Sequence, residues 1–220
     1  MTMGPLALGA LGFLLGMRHA TDADHVVAVT TIACRERSPR AAVAIGALWG
    51  LGHTATILLV GGAIILFGAV IPPRLGLALE MAVAVMLIGL GLVNLTRGGQ
   101  RAGSGGLIGR GGRLRPLAIG VVHGLAGSAA IALLVLTTIH TALWALLYLV
   151  IFAAGTVLGM MVLTAAMVFP VTLVSARFGA IEGAVARITG AASLAFGLFL
   201  TYRLGIVDGL FSTAPHWTPR

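Results

Sequence analysis

Six long apolar runs, parted by short gaps that carry most of the charge, set the pattern of this chain. They span about residues 4–34, 41–70, 75–96, 116–137, 142–169 and 183–204. Each exceeds the ~18 residues at which an apolar stretch becomes a candidate membrane-crossing helix. Pro72 and Pro73 end the second run, and a Gly/Arg-rich stretch from Arg97 to Arg115 parts the third from the fourth. The pattern predicts an all-α integral membrane protein of six transmembrane helices, A to F in chain order. Composition agrees: 59% of the 220 residues are hydrophobic and 9% charged, with a mean hydropathy of +1.07. A soluble domain carries about 25% charged residues.

Helix A departs from the pattern at "RHATDADH", where Arg18, His19, Asp22, Asp24 and His25 interrupt an apolar stretch. An acid or Arg at the centre of a spanning helix costs roughly 2.5–3.5 kcal/mol, against about 0.3–0.6 gained per Leu or Ile. Such groups persist only where they pair, face a cavity or hold an ion. Nitrogen and oxygen donors packed this densely suit a transition-metal site, whereas a buried ion-pair cluster would need no such density.

At about 100° per residue, His19, Asp22 and His25 share one helical face while Asp24 points elsewhere. A straight helix therefore does not aim all four at one ion. The expectation is a break between His19 and Asp24, with Thr21 or Asp22 capping a second half-helix from about Ala23. Residues 4–34 exceed the ~20 that a bilayer core needs, which leaves slack for an unwound turn. Broken helices at mid-membrane commonly build ion sites in secondary transporters.

These residues fit H-x-x-x-x-D-H (His19, Asp24, His25), which resembles the signature of the nickel/cobalt transporter (NiCoT) family. "LGHT" at Leu51–Thr54 is similar to that family's Gly-His-Ser/Thr motif on the following helix. "GVVHGLAGSAA" from Gly120 is similar to a segment of its shorter, six-helix relatives, often labelled urease-accessory nickel permeases. The resemblance implies a permease whose substrate is Ni²⁺ or Co²⁺, with no resident cofactor. Two features of other members are not seen in this sequence: the extra N-terminal helix of the longer ones and the His-rich loop of the exporters.

Charge placement adds orientation. All fourteen basic residues are Arg. Arg35, Arg37 and Arg40 lie in the A–B gap, Arg97 to Arg115 in the C–D linker, and Arg177 in the E–F gap. On the other side fall Arg74, Arg203 and Arg220. The positive-inside rule places the Arg-rich gaps in the cytoplasm and both termini outside a multi-pass cell (inner or plasma) membrane protein. The net charge of +8 is thus topogenic and points to no nucleic-acid partner. The partners expected are a divalent metal ion and the lipid bilayer, and a homo-oligomer is compatible with this plan. No cleavable signal peptide is expected, because the first apolar run lacks a basic leader. The lone Cys34 excludes an intramolecular disulfide and reads as a small residue at a helix end.

The two halves repeat. Aligning "GMRHATDADHVVAV" with "GVVHGLAGSAAIAL" pairs His19 with His123 and Asp24 with Ser128. Nearly the same offset pairs "WGLGHT" with "FAAGTV", hence His53 with Thr156, and Leu79–Glu80 with Ile181–Glu182. With three helices per half, the second half is inverted relative to the first. The division is a first repeat over 1–96, a linker over 97–115, a second repeat over 116–205 and a tail over 206–220.

His19, Asp24 and His25 are the leading metal ligands. Asp22 serves as ligand, cap or the acceptor that orients a histidine. His53, beside Gly52, and His123, by the repeat, complete or line the site. Arg18 is expected to pair with Asp22 or Asp24, or to repel cations from an empty site; Thr54 and Ser128 are outer-sphere or gating candidates. Glu80 and Glu182 are read as favouring helix N-termini, His140 as a turn residue, and His216 as part of a disordered tail. The function expected is uptake of nickel, with cobalt as an alternative cargo. The rivals are an exporter of metal or small solutes with the same fold, and a non-transporting metal-delivery partner for urease or hydrogenase assembly. An enzyme is not expected: H-E-x-x-H is absent and no Glu lies near the motif.

Overall fold

The computed structural model describes residues 4–33, 38–96, 114–126, 139, 141–175 and 181–217. Among these every regular element is helical: α1 (Pro5–His19), α2 (Ala23–Ala33), α3 (Pro39–Phe67), α4 (Pro73–Thr96), α5 (Leu114–Leu125), α6 (Ala142–Ser175) and α7 (Ile181–Tyr202). A single π-helical turn, Arg203–Val207, follows α7. Four stretches are long and apolar enough to cross a membrane: Pro39–Phe67, Pro73–Thr96, Ala142–Val171 and Gly183–Val207. Large apolar side chains such as Leu6, Phe67, Leu143 and Ile188 lie on the outside, as expected of helices whose solvent is lipid.

Local chemistry sets the ends. Ser38 caps α3 through its hydroxyl, which accepts from Ala41 N, and Pro39 occupies the first turn,. Gly68, with φ of 62°, closes α3 in the left-handed conformation, ahead of the Pro72 and Pro73 expected to end it,. Pro73 instead opens α4. Helix E was expected to stop at 169; α6 continues through Pro170 to Ser175. Inside a helical bundle, neighbouring groups re-satisfy the backbone that a proline frees.

Helix A is two helices. α1 ends at His19, where Thr21 N and Asp22 N turn back to the carbonyls of Arg18 and His19. α2 starts at Ala23, and Val26 N bonds to Asp22 O. The interruption falls between His19 and Asp24.

Glycine seams pack the bundle. Gly46 faces Met160 and Thr164 while Gly61 faces Leu149, so α3 and α6 run antiparallel at the centre. α1 lies along α6: a methyl at Gly16 would run into the Phe152 carbonyl and the Thr156 amide, and one at Gly155 into the Phe13 carbonyl. α5 lies along α3 in the same way. There Gly120 abuts the Trp49 carbonyl and His53 amide, and Gly52 abuts the Leu117 carbonyl. α4 and α7 pair antiparallel through Gly91, Gly190 and Gly197. Such small-residue contacts bring backbones together where no hydrophobic effect drives helices to associate.

The C-terminal residues correct two expectations. Residues 208–217 fold back on α4 rather than hanging free: His216 N bonds to Asp208 O, and Arg74 Nη2 donates to Ser212 O. The Trp217 indole covers Gly76 and donates to Glu80 Oε1 at 2.8 Å. Glu80 sits beyond the first turn of α4 and serves this contact, not the helix dipole. Residues 97–113 of the Arg-rich linker, Cys34, Ser128 and His140 lie outside the described residues, as does the side chain of Glu182; Leu114 and Arg115, expected in the linker, instead open α5.

Candidate metal centre

Four histidines from four helices meet at one point. His53, on α3, is the middle residue of that 29-residue helix. His25, His53 and His123 are fully buried, and His19 is 6% exposed. The His25 and His123 rings stack with centroids 4.5 Å apart, and His25 stands edge-on to His19 at 4.7 Å and to His53 at 4.9 Å. Such a gathering of polar rings inside an apolar bundle is costly unless they hold something.

The helix break positions the first two. A helix end leaves its last carbonyls without intrahelical partners. The His19 carbonyl accepts from Asp22 N and also from His25 Nδ1 at 2.9 Å. A carbonyl only accepts, so Nδ1 of His25 carries the proton and Nε2 is a bare lone pair. That Nε2 is buried and has no partner.

His19 is held likewise. Its Nδ1 lies 2.9 Å from Asp22 Oδ2, which fixes the proton there and turns a bare Nε2 toward His53 Nε2, 3.0 Å away. His53 then holds the shared proton on Nε2, and its Nδ1 is unpartnered. His123 donates from Nε2 to Asp24 Oδ2 at 2.8 Å, which leaves its own Nδ1 bare and unpartnered.

Two three-donor groups result, His19–His25–His53 and Asp24–His25–His123, each with ligand atoms within 4.8 Å of one another. His25 belongs to both. Neutral imidazole with a carboxylate matches nickel, cobalt, zinc or copper.

The sequence-derived candidates separate clearly. His19, Asp24, His25, His53 and His123 come together. Asp22 stands outside both donor groups, with its carboxylate turned to His19 rather than to the amides of α2. A free turn lets that side chain swing back, which a continuous helical wheel conceals. Arg18 pairs with neither Asp22 nor Asp24; its side chain is exposed on α1. Thr54 is buried, but its hydroxyl bonds to Gly50 O on its own helix and not to the site. Trp49 and Phe152 border the cluster without belonging to either donor group. Their rings lie 5.4 Å from His25 and 5.5 Å from His19.

The family model described as high-affinity nickel-transport protein (NicO) matches residues 5–100, which contain three of the four histidines. The urease accessory protein UreH of Bacillus sp. (strain TB-90) is 38% identical over 226 residues, covering 94% of this chain and 95% of that one. The chain belongs to the NicO family. No solved structure matches it. Membership makes it a multi-pass membrane protein of a transport family, in keeping with its four membrane-length helices.

Proposed function

We propose that this chain is a permease that carries Ni²⁺, with Co²⁺ as a second cargo, into the cell through the His/Asp cluster. The observation that carries the reading is the set of bare ring nitrogens on His25, His53 and His123, buried and unpartnered at the middle of the bundle. Ligand type alone does not separate nickel from its neighbours; the family supplies that preference. His19, His25, His53, His123 and Asp24 are the ligands, and Asp22 orients His19. An ion arriving between His19 and His53 takes the lone pairs of both Nε2 atoms, and the proton that His53 held on Nε2 passes to its bare Nδ1. His25, common to both donor groups, stays bound as the ion shifts toward Asp24 and His123.

The two halves, 1–96 and 116–205, act as inverted repeats around this site. The support is in the seams: Gly16 on Phe152 and Thr156 recurs, at the spacing of the sequence repeat, as Gly120 on Trp49 and His53. Gly155 on Phe13 likewise recurs as Gly52 on Leu117. A dication moving inward down a potential of 100 mV, inside negative, gains about 4.6 kcal/mol, twice the per-charge value. The potential alone therefore drives uptake. The relative's name, urease accessory protein, favours one other reading, a membrane-held nickel donor for urease assembly that does not itself transport.

Calorimetric titration of the purified protein with Ni²⁺ tests the site, and its pH dependence tests the ligands. Protonation removes the imidazole lone pair, and imidazole ordinarily titrates near pH 6.5. Affinity should fall as the solution is acidified, because proton and metal compete for the same lone pair. Undiminished affinity down to the pH at which the protein unfolds would exclude a histidine site. For orientation, single cysteines at Thr2 and Thr213 in a Cys34-free background should react with a membrane-impermeant reagent in intact cells, and one at Ser104 should not. The reverse pattern would invert the topology and, with it, the direction of transport.

A further inference from the structure

We propose that Trp49 and Phe152 are the two gates of the ion path, equivalent rings that close the histidine cluster from opposite sides of the membrane. The proposal rests on the permease reading and names the parts that would move. Phe152 lies on α6 one turn before Thr156, with its ring 5.5 Å from that of His19. Trp49 lies on α3 one turn before His53, with its ring 5.4 Å from His25 and 5.6 Å from His123. Because α3 and α6 run antiparallel, each ring covers the cluster from the side on which its own helix begins.

The rings occupy matching places. "WGLGHT" and "FAAGTV" align Trp49 with Phe152, and each residue's carbonyl abuts a seam glycine, Gly120 for Trp49 and Gly16 for Phe152. Both side chains are buried, at 0% and 1% exposure. Behind Phe152 lies an apolar plug of Ile57, Tyr148 and Leu149; behind Trp49 lie Ile45 and Met160.

Neither ring is pinned by a hydrogen bond. Phe152 has no polar side-chain atom, and Trp49 Nε1 has no partner. A rotamer change thus breaks dispersion contacts only, which suits a part that must swing. Rocking one half against the other would free one ring at a time, as alternating access requires. The competing route is lateral: the Asp22 side chain is 43% exposed at the helix break, and an ion could reach His19 past it.

The test uses the full chain in oriented vesicles, with Cys34→Ser and a reporter, Thr156→Cys, buried between the two rings. A small membrane-impermeant methanethiosulfonate is applied to each side in turn. Phe152→Ala should raise the labelling rate at least about tenfold from the side where α6 begins, and only there. Trp49→Ala should do the same from the other side. Phe152→Leu and Trp49→Phe, which keep more of the packing, should give smaller rises of the same sidedness. Nickel affinity by calorimetry should stay within about tenfold in the two conservative variants, because the rings supply no ligand,. Unchanged labelling, or a rise on the same side for both positions, would overturn the gates and leave the route past Asp22. So would loss of nickel binding in the conservative variants. If the unaltered chain binds no nickel, the permease reading fails by itself, and the sidedness of labelling still decides whether the rings close the cluster.

Discussion

His25→Ala should abolish nickel binding while the protein still inserts and remains monodisperse in detergent. The expected loss exceeds the 10–100-fold typical of removing a group that merely orients a ligand, because His25 belongs to both donor groups. The cost to the fold is modest. Alanine forfeits the bond from Nδ1 to the His19 carbonyl, worth roughly 0.5–1.5 kcal/mol, but that carbonyl keeps Asp22 N as a donor. It also removes a buried, unpartnered Nε2, which is itself a burden on the apo protein. His19→Ala and Asp24→Asn should behave alike, each damaging one donor group. Asp22→Ala should weaken binding about 10–100-fold without abolishing it. Calorimetry on the four variants settles the ranking; undiminished binding in His25→Ala, His19→Ala and Asp24→Asn would place the site elsewhere.

Gly52→Ala and Gly120→Ala should each cost more stability than any alanine in the metal centre. A methyl at either position meets backbone of the facing helix: the Leu117 carbonyl for Gly52, and the Trp49 carbonyl and His53 amide for Gly120. Backbone has no rotamer to move to, so α3 and α5 must separate. Overpacking costs 1–3 kcal/mol where side chains can yield, and here the upper end, about 3 kcal/mol, is the floor. At about 2–4 °C per kcal/mol for a chain of this size, the melting temperature should fall by roughly 6–12 °C. His53 and His123 ride on the separating helices, so nickel affinity falls too. Gly62→Ala and Gly89→Ala are the controls. Nothing lies within 4 Å of a methyl at either, and replacing glycine inside a helix should be neutral or stabilise by up to about 1 kcal/mol. Equal melting temperatures across the four variants would remove the seams from the account of the fold.

The break in helix A was legible because its cause is written locally: charged ligands at a helical spacing that no continuous helix can aim at one point. The union of His19 and His25 with His53 and His123 was legible through the Gly-His-Thr motif and the repeat. The outer-sphere arrangement was not. Helical periodicity put Asp22 on the same face as His19 and His25, yet the three residues between α1 and α2, Ala20 to Asp22, let its carboxylate turn to His19 Nδ1. Thr54 looked like a site residue from its place after His53, but a buried hydroxyl in a helix finds its own i−4 carbonyl, here Gly50 O,. The bond from Trp217 to Glu80 spans most of the chain, and no local pattern foretells it. Trp49 and Phe152 stood aligned in the repeat throughout. Their importance came into view only when the antiparallel α3 and α6 set them on opposite faces of the imidazoles.

Uptake of Ni²⁺ by the purified chain alone, reconstituted in vesicles under an imposed potential, tests the transport claim most directly. Accumulation should follow an inside-negative potential, vanish when the potential is collapsed in the absence of a nickel gradient, and be lost in His25→Ala. Vesicles that bind nickel at the cluster yet take up no more than protein-free vesicles would contradict it, and would leave the chain a membrane-held nickel donor.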